Sequence, residues 1–278
     1  MNDTLEKIGT ALIQHGPYND RIYLMDLGDS DPERLTPALG KLAIRNGYSK
    51  IFAKVPASKA EPFLRHGYRE EAAIPGLYQG TEDALFMCRY HNAERKHEPM
   101  MAVLDDIMVS ARERQNAGNQ KLLRTDAQLR KCTEADIGAM AQIYATVFPS
   151  YPFPIQNPDY LLETMQSHVD YFGIEIAGKL VALSSAEMNP KAQSVEMTDF
   201  ATLPAFLGNG FAVHLLAAME SAMRKRGIKT AYTIARAASP GMNITFARLG
   251  YAYDGRLINN TQISGHIESM NVWHKPLN

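Results

Sequence analysis

Residues 202–227 read TLPAFLGNGFAVHLLAAMESAMRKRG, with two glycines one residue apart at the mouth of a long helix pattern. Ala212, Leu215, Leu216, Met219, Ala222 and Met223 recur at helical spacing and predict a buried stripe. Arg224, Lys225 and Arg226 complement the carboxy-terminal end of the helix dipole before Gly227. At the other end, unpaired backbone N–H groups and partial positive charge favour an anion. Gly208 and Gly210 have no Cβ to fend off a phosphate. A glycine pair also permits a tight strand-to-helix turn with no ligand at all, so context decides. A Walker loop needs Lys followed by Ser or Thr, where this chain has Phe211, Ala212 and Val213. A dinucleotide fingerprint needs a third small residue and an acid about 20 residues on. Val213 and the acid-free TAYTIA stand there instead.

Composition narrows the partners. The 278 residues, 45% of them hydrophobic, suffice for two compact domains. A net charge of −1, from 29 basic and 30 acidic residues, creates no field that favours nucleic acid or an anionic membrane over a small ligand. The two cysteines, Cys88 and Cys132, and a start without a secretory signal point to a reducing, cytoplasmic setting. No apolar run approaches the roughly 18 residues that span a bilayer, and no Cys, His or acid spacing predicts a metal site. A homodimer is left open.

The chain before and after this helix has α/β texture. IYLMDL and YSKIFAKV are strand patterns flanking a helix, PERLTPALGKLAIRNG, that ends on Gly47. A short helix closing on Gly67 and the strand DALFMCRY follow, then a charged segment with a helix predicted over Pro99 to Arg114. The domain boundary is placed after residue 122, giving units 1–122 and 123–278. In the second unit, Thr133 and Asp136 form a capping-box pattern, and Pro158 to His168 a second helix. Two strands joined at Ala177-Gly178 precede VEMTDFATLP, a strand stopped by Pro204. The expected fold is α/β, a mixed sheet with helices on its faces.

An internal echo links the two units. Phe63, Arg65, Gly67 and Tyr68 match Phe246, Arg248, Gly250 and Tyr251, each pair 183 positions apart. Many helices end on Gly and re-enter a strand with an aromatic residue, and a degenerate duplication gives the same pattern. The first unit has no LGNGFA-like loop, so it is not expected to bind the same ligand.

A strand, a proline, G-x-G-x-A, a long helix, then a strand, short helix and G-Y resemble the GNAT superfamily of acetyl-CoA-dependent N-acetyltransferases. The likeness covers Leu123 to the end and makes the first unit a degenerate half-GNAT copy on the duplication reading. It implies a backbone cradle for the coenzyme A pyrophosphate at Leu207, Gly208, Asn209, Gly210, Phe211 and Ala212. Leu207 replaces the family's usual Arg or Gln. Phe200, Ala201 and Thr202 would run beside the pantetheine arm, where a strand bulge frees an N–H for the thioester oxygen. Ser239, Asn243 and Phe246 would complete the coenzyme A contacts. Phe246 stands where the superfamily has a thiolate-protonating Tyr, so the thiolate leaves unassisted or another donor such as Ser239 or Tyr251 serves.

A narrower resemblance spans nearly the whole chain. FPSYPFPI (148–155), EMTDFATLP (196–204), SPGMNITFARLGY (239–251), INNTQISGHIESMNVW (258–273) and the run at 52–80 are similar to the β-lysine N6-acetyltransferase family. That implies acetylation of the terminal amine of β-lysine to Nε-acetyl-β-lysine, a compatible solute. An amine with a pKa near that of Lys, about 10.4, needs a carboxylate to bind it and help remove its proton. Asp199 is the first candidate and Glu187 the second, with Glu196 the third acid on the central strands. Strict alternation puts Glu196 and Asp199 on opposite faces. Tyr151, Phe153, Asn259, Asn260, Thr261 and Glu268 are candidates for the rest of the substrate. Another small amine, a protein lysine, and a non-catalytic acyl-CoA sensor are the competing readings.

Overall fold

The structure is a computed structural model that describes residues 3–118 and 121–277. The first half contains β1 (Thr4–Ile8), β2 (Ala11–Gly16), β3 (Arg21–Asp26), α1 (Pro32–Asn46) and β4 (Lys50–Pro56). It continues with α2 (Glu61–Arg65), β5 (Arg69–Tyr78), β6 (Glu82–Tyr90) and α3 (Met101–Arg112). The second half opens with β7 (Ala127–Lys131), α4 (Ile137–Val147), α5 (Pro158–Ser167), β8 (Val169–Ile176), β9 (Lys179–Asn189) and β10 (Ser194–Thr202). It closes with α6 (Phe211–Lys225), β11 (Thr230–Arg236), α7 (Pro240–Arg248), β12 (Ala252–Ile263) and β13 (His266–Pro276). The strands form one 13-stranded sheet in the order β1-β2-β3-β4-β6-β5-β12-β13-β11-β10-β9-β8-β7.

That order has an internal symmetry. β2-β3-β4-β6-β5 and β9-β10-β11-β13-β12 run inward from opposite edges and meet at β5 and β12. Each half has one parallel pair, β3 with β4 and β10 with β11, joined by a crossover helix, α1 or α6. The echo in sequence has a counterpart in packing. Phe63 meets Tyr68 edge-on at 5.2 Å, and Phe246 meets Tyr251 edge-on at 5.1 Å. Gly67 and Gly250 take left-handed φ values of 78° and 83° between them. The halves differ where α1 and α6 begin. Asp31 caps α1 by accepting from the Glu33 N–H, with Glu33 itself in the first turn, so the protein's own carboxylates occupy that helix mouth.

The helix α6 buries Phe211, Val213, Leu215, Leu216, Met219 and Met223 on the sheet, each apolar side chain worth about 1.5–3 kcal/mol. Ala212 and Ala222, expected in the stripe, are only half-buried; Phe211 and Val213 take the inner face at the first turn, and Met219, Glu220 and Met223 near the end. The capping box at Thr133 and Asp136 forms. The helix expected over Pro99 to Arg114 is shorter, Met101–Arg112. No helix among the described residues is long and apolar enough to cross a membrane.

The join between halves rests on polar contacts. β12 slips register against β13 between Leu257 and Thr261, which leaves Ile258, Asn259 and Asn260 outside the ladder. Their carbonyls accept bonds from Lys50 Nζ (2.7 Å), Arg95 Nε (2.6 Å) and Arg21 Nη1, all cations of the first half. Beside them Gly255 pairs with Ala72 at φ 147°, and a Cβ there would meet the Glu71 carbonyl oxygen at 2.2 Å. Gly255→Ala is expected to cost about 2–4 kcal/mol, from backbone strain and overpacking together. Urea unfolding would read it, and a loss below about 0.5 kcal/mol would refute the close approach.

Candidate active site

β10 and β11 pair only where Ser194, Val195 and Glu196 face Thr230, Ala231 and Tyr232; beyond this the two strands part. In the opening, β10 also shifts register against β9 between Thr198 and Ala201. Asp199 sits in this bulge with φ 53°, a left-handed conformation costly for a non-glycine residue. The bulge changes the expected alternation, so that Glu196, Thr198 and Asp199 all line one cavity.

Three connected cavities follow the opening. The outer groove runs from Phe206–Val213 past Phe200, Thr202 and Arg236 to Ser239 and Arg248. A narrow apolar channel shares Phe148, Phe200, Arg236 and Met242 with it and adds Phe246. Beyond lies a polar cavity, joined to the channel through Tyr151, Thr198, Asp199, Ile234, Ile263 and Met270. Its remaining wall comes from both halves of the chain, with Arg21, Tyr23, Phe52 and Lys54 opposite Glu187, Glu196, Tyr232 and Asn260.

In the outer groove, the mouth of α6 fits an anionic ligand. Gly208 and Gly210 take φ 79° and 75°, and a Cβ on Gly208 would meet only open space. Among the described residues no side chain caps the helix, and its first turn holds no acid. The first helical N–H with a backbone partner is that of Val213, bonded to the Gly210 carbonyl at 3.1 Å. Asn209 secures the loop by donating to the Phe206 carbonyl (2.9 Å), and Lys121 lies across it, its Nζ 2.6 Å from the Gly208 oxygen. Leu207 is exposed on the rim.

In the polar cavity, Glu196 and Glu187 face each other directly across the β9–β10 pair. Burial above all, and then the neighbouring Glu187, push the Glu196 carboxyl up to about 7, while Lys54 opposes the shift. Burial also raises Asp199, opposed by hydrogen bonds from Ser185 Oγ and Tyr151 Oη, each 2.5 Å. Lys54 Nζ donates to the Tyr232 hydroxyl at 3.1 Å.

Of the residues expected to touch coenzyme A, Phe200, Thr202, Leu207, Gly208, Asn209, Gly210, Phe211, Ala212 and Ser239 line the outer groove, and Phe246 the channel. Two do not. The Ala201 side chain packs in the core beneath α4, and Asn243 is fully buried as a latch. Its Nδ2 donates to the carbonyls of Arg236 (3.0 Å) and Ser239 (2.7 Å), and its Oδ1 accepts from Asn271 and Trp273. Tyr151, Phe153, Asn260 and Thr261 wall the polar cavity. Asn259 and Glu268 lie outside it. Asn259 points to the carbonyls of Arg95 and His97, while Glu268 grips Arg236 with bonds of 2.9 and 2.6 Å. Tyr251, considered as a proton donor, has its ring in the core between Phe246 and the sheet and lines none of the three cavities. Sequence reasoning missed Arg21, Tyr23, Phe52 and Lys54, which reach the second-half residues of the site from 97 or more positions away in the chain. The one local signal was an arginine opening the apolar strand RIYLM.

Among the described residues no group of three or more His, Cys, Asp or Glu could hold a metal ion. Residues 138–251 match the Acetyltransferase (GNAT) family. A Beta-lysine N(6)-acetyltransferase from Methanococcus maripaludis is 40% identical over 97% of this chain and 97% of its own length. A protein of the same name from Methanosarcina mazei is 34% identical over 88% of this chain and 97% of its own. The solved ribosomal-protein-S18-alanine N-acetyltransferase from Escherichia coli has 16% identity and a TM-score of 0.48, covering 55% of this chain and 94% of that one. With such identity carried across both halves, the chain is an N-acetyltransferase of the GNAT fold and belongs to the β-lysine N6-acetyltransferase family.

Proposed function

We propose that this enzyme acetylates the terminal amine of free β-lysine, giving Nε-acetyl-β-lysine as a compatible solute in the cytoplasm. The observation that carries the reading is the polar cavity. It is walled by both halves of the chain, meets the channel at Asp199 and holds three carboxylates, Glu187, Glu196 and Asp199. A small cationic amine suits such a space better than a lysine on a protein surface, which needs an open groove. The relatives that span both halves carry the same substrate in their names.

The mouth of α6, with its open glycine and uncapped N–H groups, would hold the pyrophosphate of acetyl-CoA, which supplies the acyl group as an activated thioester. The bulge at Asp199 would offer a strand N–H to the thioester oxygen. For the base we favour Glu196 over Asp199. Both Asp199 oxygens already accept short bonds, and that carboxylate orients Tyr151. Glu196 is poised near neutral pH and takes the proton from the substrate ammonium, so that the amine nitrogen can form its bond to the acetyl carbon as the carbon–sulfur bond breaks. Tyr151 is the phenol that lines both the channel and the polar cavity, which makes it a better-placed proton source for the departing sulfur than Tyr251.

The substrate assignment is tested by acetyl-CoA consumption with β-lysine, α-lysine, ornithine and a lysine peptide. A kcat/KM at least about tenfold higher for β-lysine is expected, and equal rates on all four would refute it. Glu196→Gln tests the base. The carboxyl's ordinary value of 4.5 applies in the unfolded chain, whereas the folded chain keeps the proton to about 7. Native stability therefore falls as pH rises through that window. Above it, Glu196→Gln should unfold later than the native protein by about 1–3 kcal/mol, with no gain near pH 4, while kcat drops about 10²–10⁴-fold. A variant with native turnover, or one that gains equally at both pH values, would remove Glu196 from this role. Gly210→Asp places a carboxylate in the anion cradle and is expected to abolish coenzyme A binding in calorimetry while the thermal transition persists. Retained micromolar binding would place the pyrophosphate elsewhere.

A further inference from the structure

Three buried cations of the first half grip the irregular part of β12, and they are not equivalent. Lys50 is neutralised by Glu71 at 3.2 Å and Arg95 by Asp20 at 3.2 Å. Arg21, only 3% exposed, has no carboxylate ion pair among the described residues. Its guanidinium lies over the rings of Tyr23 and Phe52, 5.4 and 5.7 Å from their centres, and it lines the polar cavity but not the channel. Among the described residues only Nη1 is hydrogen-bonded, to the Asn260 carbonyl and to Thr261 Oγ1 (3.0 Å). Its Nε is buried without a partner. A buried guanidinium with unused donors and no carboxylate in contact is a costly arrangement unless a ligand completes it. Burial lowers its pKa to about 10, so the charge persists at neutral pH. On the same wall, the 1% exposed Asn260 has a complementary defect, a buried Oδ1 with no donor.

We propose that Arg21 is the receptor for the carboxylate of a free diamino acid, and that Asn260 Oδ1 accepts a bond from its non-reacting ammonium. The inference rests on the acetyl-transfer reading of the same cavity. A guanidinium fork matches a carboxylate with two parallel N–H bonds, and an amide oxygen alongside matches an ammonium, so the pair together fits an amino-acid head. A peptide lysine or a plain diamine has no carboxylate to offer. The first half of the chain thereby acquires a role. Its own helix mouth, capped by Asp31, is closed to anions, and it contributes instead the residue that selects the second substrate.

The test compares β-lysine with 1,4-diaminopentane, the same carbon chain without its carboxylate. In the native enzyme kcat/KM for β-lysine should exceed that for the diamine by about 100-fold or more. In Arg21→Gln this ratio should fall to within about threefold of one, chiefly through KM for β-lysine, with coenzyme A binding by calorimetry reporting an intact fold. Arg21→Lys, which keeps a charge but not the fork, should give an intermediate ratio, and serves if the Gln variant does not fold. A native enzyme that uses both amines equally, or an Arg21 variant that keeps the native ratio, would overturn the assignment. Failure of the substrate reading looks different. The native enzyme would then acetylate neither free amine while acetylating a lysine peptide, and Arg21 would lose its role with it.

Discussion

Three consecutive carbonyls, those of Ile258, Asn259 and Asn260, are held by three buried cations from the other half of the chain. An irregular strand inside a sheet normally leaves its polar groups unsatisfied, and a buried amide group without a partner costs about 1–3 kcal/mol. Here the irregularity of β12 is matched by Lys50, Arg95 and Arg21, so it becomes the means by which two half-sheets are joined. The rest follows from that join. It fixes β5 beside β12, makes the strands of both halves one sheet, and brings Tyr23, Phe52 and Lys54 over a cavity whose floor belongs to β10 and β11.

The chemistry is placed by two departures from regular pairing on the neighbouring strands. β10 and β11 part after Glu196 and Tyr232, which opens space for a ligand, and the bulge at Asp199 turns successive acids toward that space. A regular ladder would have sent Glu196 and Asp199 to opposite faces. The acids then shape one another. Asp199 is committed to Ser185 and Tyr151, whereas Glu196 faces Glu187 across the ladder and stays protonated until near neutrality.

Much of this was legible in the sequence where the signal is local. The glycine loop, the α6 stripe, the capping box at Thr133 and the turn at Ala177-Gly178 each depend on a few adjacent residues, and each forms. The strands β1, β2, β5 and β12 were not anticipated, because REEAAIPGLY and AYDGRLINNTQI mix charge, proline and glycine where a strand normally alternates. β5 and β12 meet each other only across the join, at Ala72 and Gly255. The same distance effect hid Arg21 and Lys54 from the site and misplaced Asn259 and Glu268 in it. Asn259 and Asn260, adjacent in the strand, face opposite ways, and which of the two turns to the cavity is read only from the coordinates.

The apolar cluster beneath the site draws on both sides of the join, with Phe52, Ile74, Leu77 and Phe86 packed among Tyr232, Leu257, Met270 and Val272. Separating the halves would expose that cluster to water along with three buried cations. Each half therefore covers apolar surface of the other, although the strand order repeats from one half to the next. The seam between β5 and β12 thus carries both an apolar core and the three cation–carbonyl bonds, so the two halves share one interior.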